Sequence, residues 1–378
     1  MIVTIVSLLV MLVLFLVAIR GLGQGFKGLG GDLLGRFFAI TENPFVGLVI
    51  GIFATSLMQS SSVTTSMVVA LVAAPDHALP IHHAIPMIMG ANIGTTVTNS
   101  IVALGHIGRK IEFRRAFAAA TCHDFFNFIA VAVFLPLEMA TGFLEKSSAV
   151  IADMFRAGAT HESHGHFPNP IKAFTGGIIS PTQHLLERMV ANKRLAAVCL
   201  IALSMAVIFI SLYLIVKSLK VVAATKMQRY VSKSLGATPV LGMIVGVVVT
   251  VMVQSSSITT SVLVPMAGAG IVTLSQVFPI MLGANVGTTF TAIFASVGAD
   301  ASTQHFAVQI AAVHLLFNVL GILMIYPIRR IRELPLKMAT SLSVMAVRSR
   351  KIAIIYILCL FYILPALLIF GSRLFGSH

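Results

Sequence analysis

The chain has 378 residues, 57% of them hydrophobic and 10% charged, with a mean hydropathy of +0.98; soluble domains average about half apolar and a quarter charged, so a soluble enzyme is excluded. Lys and Arg number 26 against 12 Asp and Glu, a formal charge of +14, which in a soluble protein would point to nucleic acid. That reading fails here, because apolar runs of membrane-spanning length separate the basic residues and no nucleic-acid motif surrounds them.

A membrane span needs about 20 apolar residues. Residues 2–19 supply the first and read as an uncleaved helix, with no basic stretch before them and no small-x-small cleavage site after. Residues 44–74 are too long for one comfortable span and carry a polar Gln-Ser-Ser-Ser cluster at their centre, while 81–104 are interrupted by Gly-Ala-Asn-Ile-Gly-Thr-Thr. Residues 116–137 form an uninterrupted span. The hydrophilic stretch 141–194 carries His161, His164 and His166 but no Cys or clustered carboxylate to complete a metal site, so a solvated loop is expected. Residues 195–216 form a further span; 239–270 repeat the Gln-Ser-Ser-Ser interruption, and 277–297 repeat the second one as Gly-Ala-Asn-Val-Gly-Thr-Thr. Two more spans follow at 306–326 and 352–370. The stretches 20–43, 105–115, 217–238 and 327–351 are hydrophilic and read as loops. Cys122, Cys199 and Cys359 all fall in apolar stretches, which argues against a disulfide framework.

These interruptions are duplicated. Residues 59–66 and 254–261 agree at seven of eight positions; Gly47, Gly51 and Thr55 match Gly242, Gly246 and Thr250. Downstream, the segment from Gly90 to Thr98 matches that from Gly283 to Thr291, and His123 and Asn127 match His314 and Asn318. Offsets of 195, 193 and 191 residues make the halves collinear copies. The expected organisation is a first transmembrane repeat (1–140), an extracytoplasmic linker (141–194), a second repeat (195–326), and a basic cytoplasmic loop with a final transmembrane helix (327–378). If each Gln-Ser-Ser-Ser segment enters and returns as a hairpin, each half crosses three times, and an odd number inverts the second copy. The expected fold is an all-α polytopic membrane protein with two inverted-topology repeats, re-entrant hairpins and broken transmembrane helices meeting at a midplane site. With the N-terminus inside, the loops 105–115, 217–238 and 327–351 hold 16 of the 26 basic residues and 2 of the 12 acidic ones. This obeys the positive-inside rule for a multi-pass protein of the cell (inner) membrane with its basic loops in the cytoplasm.

Consecutive serine hydroxyls supply donors and acceptors together. If the chain turns there, the second arm starts a helix whose unpaired N–H groups and positive dipole end suit a tetrahedral oxyanion. Gly94 and Gly287 would let the neighbouring helices unwind, freeing carbonyls that, with Asn and Thr oxygens, suit a hard cation. The competing reading, that small residues only let helices pack closely, is weakened by two copies that each carry two interruptions. No Arg or Lys lies in either cluster or in the interrupted helices. A buried anion would lack a countercharge, at a cost of many kcal/mol, so it needs cations beside it. Asp124 is the carboxylate inside a predicted span, and intramembrane acids are functional candidates. It reads as a cation ligand or a protonation site, with a structural pairing to His123 or Arg115 as the alternative. Its counterpart is Leu315, which places any extra cation site in the first half. His123 and His314 read as helix-packing residues.

The paired Gln-Ser-Ser-Ser motifs, the segment from Ile88 to Thr96 and the segment from Glu112 to Asn127 resemble the type II sodium-phosphate cotransporters, and the resemblance covers both repeats. It implies sodium-driven uptake of phosphate. Carried over by motif, Ser60, Ser61, Ser62, Ser255, Ser256 and Ser257 would surround phosphate, with Gln59, Asn92 and Asn285 in the same set. Gln254, Thr288 and Thr291 would serve sodium, joined by Thr95, Asp124 and Asn127. Electrogenic members carry Asp at the position of Asp124 and electroneutral ones Gly, so an additional sodium and net charge movement are implied. Animal members carry Gln and Asp at the positions of His106 and Arg109, and bear cysteines and glycosylation sites in a longer central loop. Here 141–194 has neither, as in a shorter bacterial form.

The expected function is therefore sodium-coupled import of divalent phosphate by alternating access, with sodium as cotransported ion and no cofactor. The partners are inorganic phosphate, sodium and the lipid bilayer, not nucleic acid. Another oxyanion, proton coupling or a channel would keep the same fold. An intramembrane serine hydrolase using residues 60–62 with His123 would need one functional copy, and no Gly-x-Ser-x-Gly elbow surrounds these serines.

Overall fold

The computed structural model describes residues 2–29, 39–74, 78–162, 170–190, 192–234, 238–300 and 302–375. Among these, regular structure is entirely helical. The first half comprises α1 (Ile2–Leu29), a hairpin of α2 (Pro44–Met58) and α3 (Ser61–Val72), α4 (Ile81–Thr95), α5 (Val97–Leu104) and α6 (Lys110–Thr141). Two helices follow, α7 (Phe143–Glu162) and α8 (Pro170–Met189). The second half comprises α9 (Lys193–Ser234), a hairpin of α10 (Pro239–Val253) and α11 (Ser256–Gly268), α12 (Leu274–Val297) and α13 (Gln304–Ile325). After α14 (Arg329–Arg348), the last helix runs as α15 (Arg350–Leu358), a π turn (Cys359–Ile363) and α16 (Leu364–Phe375).

Seven described helices are long and apolar enough to cross a membrane: Val10–Leu29, Ile81–Leu104, Lys110–Thr141, Lys193–Leu214, Leu274–Val297, Gln304–Ile325 and Arg350–Ile369. The chain is a multi-pass membrane protein. The hairpin arms are different. At 15 residues, α2 and α10 reach about 22 Å, short of a hydrocarbon core about 30 Å thick.

Each hairpin turns in the same way. Asn43 caps α2 by accepting the Phe45 N–H at 2.9 Å, and Pro44 needs no donor there. The helix stops where Gln59 enters the left-handed region at φ 53°; Gln254 stops α10 at the same φ of 53°. These are the non-glycine residues with positive φ among those described. Ser60 and Ser255 then extend (φ −152° and −157°) and cap α3 and α11.

Glycines set how closely the arms approach their neighbours. A Cβ on Gly51 would lie 2.1 Å from the Met87 carbonyl oxygen and one on Gly90 1.9 Å from that of Leu48. The second half repeats this, with Gly246 2.1 Å from the Ile280 oxygen and Gly283 1.9 Å from that of Met243. So α2 lies backbone to backbone on α4, and α10 on α12. Of the two expected breaks, the first half has one at Thr96, between α4 and α5, whereas the second half has none in α12. Gly94 lies within α4, where a Cβ would meet the Ile52 oxygen at 2.7 Å, and α12 runs unbroken through Gly287, whose Cβ would meet Thr250 at 2.6 Å. Both glycines serve close approach, and α12 does not unwind at Gly287. The carbonyls one turn back are taken as well: Thr95 donates to Ala91 (2.8 Å), Thr288 to Ala284 (3.0 Å) and the Asn92 amide to Ile88 (3.0 Å).

The predicted loops are also corrected. The stretch 141–194 contains α7 and α8; the Glu138 carboxylate accepts the N–H groups of Leu144 (2.5 Å) and Glu145 (3.2 Å), fixing the start of α7. His164 and His166 lie outside the described residues. α1 extends past residue 20 to Leu29, where Arg20 pairs with Asp300, and α9 continues to Ser234. Residues 329–348 form an amphipathic helix that buries Ala339, Ser343 and Ala346 and packs on α6. On its outer face Glu333 pairs with Arg329 and Lys337, and these cations hold its carboxyl below the usual range.

Candidate functional site

The first N–H groups of a helix have no carbonyl partner within it. In α3 the Ser60 hydroxyl accepts the Val63 N–H at 3.3 Å, and in α11 Ser255 accepts that of Ile258 at 3.4 Å. Helix geometry leaves the N–H groups of residues 61, 62, 256 and 257 to an external acceptor. Because the two capping hydroxyls accept, their own protons stay available as donors. Each turn therefore presents a neutral cluster of donors at the positive end of a helix dipole.

The two turns meet. Ser62 Oγ donates to the Gln254 carbonyl at 3.4 Å and lies 3.3 Å from Thr291 Oγ1. Thr291 donates to Gln254 Oε1 at 3.1 Å, while Gln254 Nε2 donates to the Val251 carbonyl at 2.8 Å. The first half repeats the clasp: Thr98 donates to Gln59 Oε1 at 2.9 Å, and Gln59 Nε2 to the Ser56 carbonyl at 2.6 Å. The halves differ in exposure, since Gln59 is exposed and Gln254 half-buried. Neutral hydroxyl and carbonyl oxygens converging at one point suit a small hard cation. Ser61, Ser62 and Ser256 are buried, Ser257 half-buried. Thr98 was not among the residues the sequence singled out, although its match to Thr291 marks it.

Asn92, Asn127 and Asn285 bond to one another and to neighbouring side chains. Asn285 Nδ2 donates to Asn127 Oδ1 at 3.1 Å, Asn127 Nδ2 to the Asn92 carbonyl at 3.1 Å, and Asn318 Nδ2 to Asn92 Oδ1 at 3.3 Å. His123 Nε2 lies 2.5 Å from Asn285 Oδ1; since that oxygen only accepts, the imidazole donates through Nε2. All five side chains are 4% exposed or less. The network ties α4, α6, α12 and α13 together across the two halves, where low polarity strengthens each bond.

Asp124, fully buried on α6, is paired with neither His123 nor Arg115. Its Oδ2 accepts the Tyr356 hydroxyl at 2.7 Å, which corrects the expected alternative pairing. Thr96 lies beside the carboxylate but donates its proton to the Ile93 carbonyl at 2.7 Å. Asp124 Oδ1 has no hydrogen-bond partner among the described residues. Nothing in the sequence marks Tyr356, one of two tyrosines in an apolar helix outside the duplicated segments. On the loop before α6, His106 (3.3 Å) and Arg109 (2.9 Å) both pair with Glu112. Among the described residues no three His, Cys, Asp or Glu side chains cluster as a metal site.

The sequence model of the Na+/Pi-cotransporter family matches residues 14–151 and 207–347. The chain is similar to sodium-dependent phosphate transport protein 2B of Bos taurus, at 34% identity over 454 aligned positions covering 98% of this chain and 65% of the relative. The Homo sapiens 2B protein is 33% identical with the same 98% and 65% coverage. Sodium-dependent phosphate transport protein 2A of Ovis aries is 34% identical, covering 97% of this chain and 67% of the relative. The chain thus spans about 65% of the length of the 2B relatives it matches. No solved structure matches it.

Proposed function

The chain belongs to the Na+/Pi-cotransporter family, and from that premise we propose that it is a symporter that imports divalent inorganic phosphate together with sodium. The observation that carries this reading is the meeting of Ser62 with Gln254 and Thr291, where both Gln-Ser-Ser-Ser turns supply donors and neutral oxygens at one place. Phosphate binds to the hydroxyls of residues 60–62 and 255–257 and to the free N–H groups at the starts of α3 and α11. Sodium binds Gln254 Oε1, which keeps a second lone pair beside the bond it accepts, and the Thr291 and Thr288 hydroxyls, whose oxygens keep lone pairs after donating their protons. Thr95 is the first-half counterpart of Thr288. Gln59 closes the phosphate site through its clasp with Thr98. Asn92 and Asn285 belong to the phosphate set and Asn127 to the sodium set, oriented by the hydrogen bonds among them.

Charge explains the coupling. No Lys or Arg belongs to this residue set, so a phosphate dianion entering alone would be an unpaired charge in an apolar surround. Sodium supplies the missing positive charge. Asp124 binds one further sodium through Oδ1, so each cycle carries net positive charge inward, worth about 2.3 kcal/mol per charge per 100 mV. The two halves lie inverted in the cell membrane with the basic loops in the cytoplasm, the short hairpin arms re-enter from opposite sides, and access alternates by motion of one bundle against the other. The protein is a carrier and not a hydrolase, a reading supported by the occupation of His123 with Asn285 instead of a serine hydroxyl.

Phosphate uptake by proteoliposomes under sodium, potassium or proton gradients, with arsenate or sulfate as competitor, tests this reading. Only the sodium gradient should drive accumulation, and arsenate should compete where sulfate does not. Equal drive by a proton gradient, or strong inhibition by sulfate, would overturn the assignment of ion or substrate.

A further inference from the structure

The last helix lies beyond residue 347, where the family match ends, and has no counterpart in either half. It nevertheless touches both distinctive features of the first half. Tyr356 donates to Asp124 Oδ2 at 2.7 Å. One π turn later, Tyr362 donates to the Ser56 carbonyl at 3.3 Å and accepts from Gln59 Nε2 at 3.4 Å. We infer that Tyr356 is a positioning residue for the Asp124 carboxylate, fixing which of its oxygens is presented to the cation; this rests on the sodium-coupled reading above.

A buried carboxylate can rotate and offer either oxygen. Here Oδ2 is held by a charge-assisted hydrogen bond, while Oδ1 lacks a partner among the described residues. The phenol is itself constrained. Its ring meets Phe117, on the same helix as Asp124, edge-on at 6.3 Å and Phe361 at 6.4 Å. Ring packing fixes the hydroxyl, the hydroxyl fixes Oδ2, and Oδ1 is left at a defined place as the ligand atom. Removing the hydroxyl alone keeps the packing but frees the carboxylate to turn, and leaves a second oxygen without a donor. Sodium must then orient the carboxylate as it binds.

Tyr356→Phe is expected to raise the half-saturating sodium concentration about tenfold, the size of one hydrogen bond to a charged group. The maximal phosphate rate at saturating sodium should stay unchanged. In an Asp124→Gly background the same substitution should have no effect on sodium activation, because the group it positions is gone. Tyr356→His, which keeps a ring and a donor, should fall between wild type and Tyr356→Phe. Sodium-dependent protection against thermal unfolding in detergent reads the same shift without transport. Unchanged half-saturating sodium, a lowered maximal rate with unchanged sodium dependence, or a full-sized shift in the Asp124→Gly background would each overturn the inference. Wild-type uptake indifferent to sodium would instead overturn the symport reading on which it rests.

Discussion

At the scale of single residues, the two Gln-Ser-Ser-Ser copies divide their labour by position. The glutamine ends one helix in a left-handed conformation, the first serine caps the next, and the remaining two stand where a helix start offers free N–H groups. Ser255→Ala removes one cap and should cost about 1 kcal/mol of stability, read as a lowered unfolding temperature in detergent. Thr291→Ala removes the donor to Gln254 Oε1 and the contact with Ser62. It should raise half-saturating sodium severalfold while phosphate affinity at saturating sodium changes less, measured as uptake against each ion. Asp124→Gly should keep phosphate uptake but lose its dependence on membrane voltage; unchanged charge per phosphate would remove Asp124 from cation binding. The Gln, Ser and Thr members of the site were legible because duplication marked them. Tyr356 was not, because an isolated hydroxyl on an apolar helix carries no signal until the opposing carboxylate is placed.

At the scale of helices, the glycine-rich segments show why sequence signals can be read two ways. Glycine both permits unwinding and permits close approach, and only the neighbouring helix decides between them. Gly90 faces the Leu48 carbonyl and Gly283 that of Met243, so both act in approach. Gly90→Ala and Gly283→Ala place a methyl group 1.9 Å from a backbone oxygen. Each should lower the yield of folded, monodisperse protein sharply, whereas Gly108→Ala, with nothing within 4 Å of the new carbon, should not. The apolar spans were legible in their order and approximate limits, because an unbroken apolar run of about twenty residues matches the thickness of a bilayer. The linker and basic stretches were read as loops because their polarity hides an amphipathic period; α14 shows it, with Ala339, Ser343 and Ala346 buried beneath a charged outer face.

At the scale of the whole molecule, charge is the ordering feature. The +14 of the chain is concentrated in three stretches that the proposed topology places on one side, and no Lys or Arg belongs to the residues gathered around the two turns. Single cysteines introduced into a background without Cys122, Cys199 and Cys359 test this: a label that does not cross membranes should reach positions in 329–348 only from the cytoplasmic face, and those in 143–162 only from the other. Labelling of both from one side would contradict the inverted arrangement. The absence of Lys and Arg around the turns is also the reason that phosphate should need a companion cation, and sodium coupling in turn underlies the roles given to Asp124, Tyr356 and Thr291. Labelled phosphate uptake into proteoliposomes, followed with and without an imposed inward sodium gradient at equal phosphate on both sides, tests it most directly. Transient accumulation above equilibrium that collapses when the gradient is dissipated is the predicted result, and phosphate entry that is the same without sodium would contradict it.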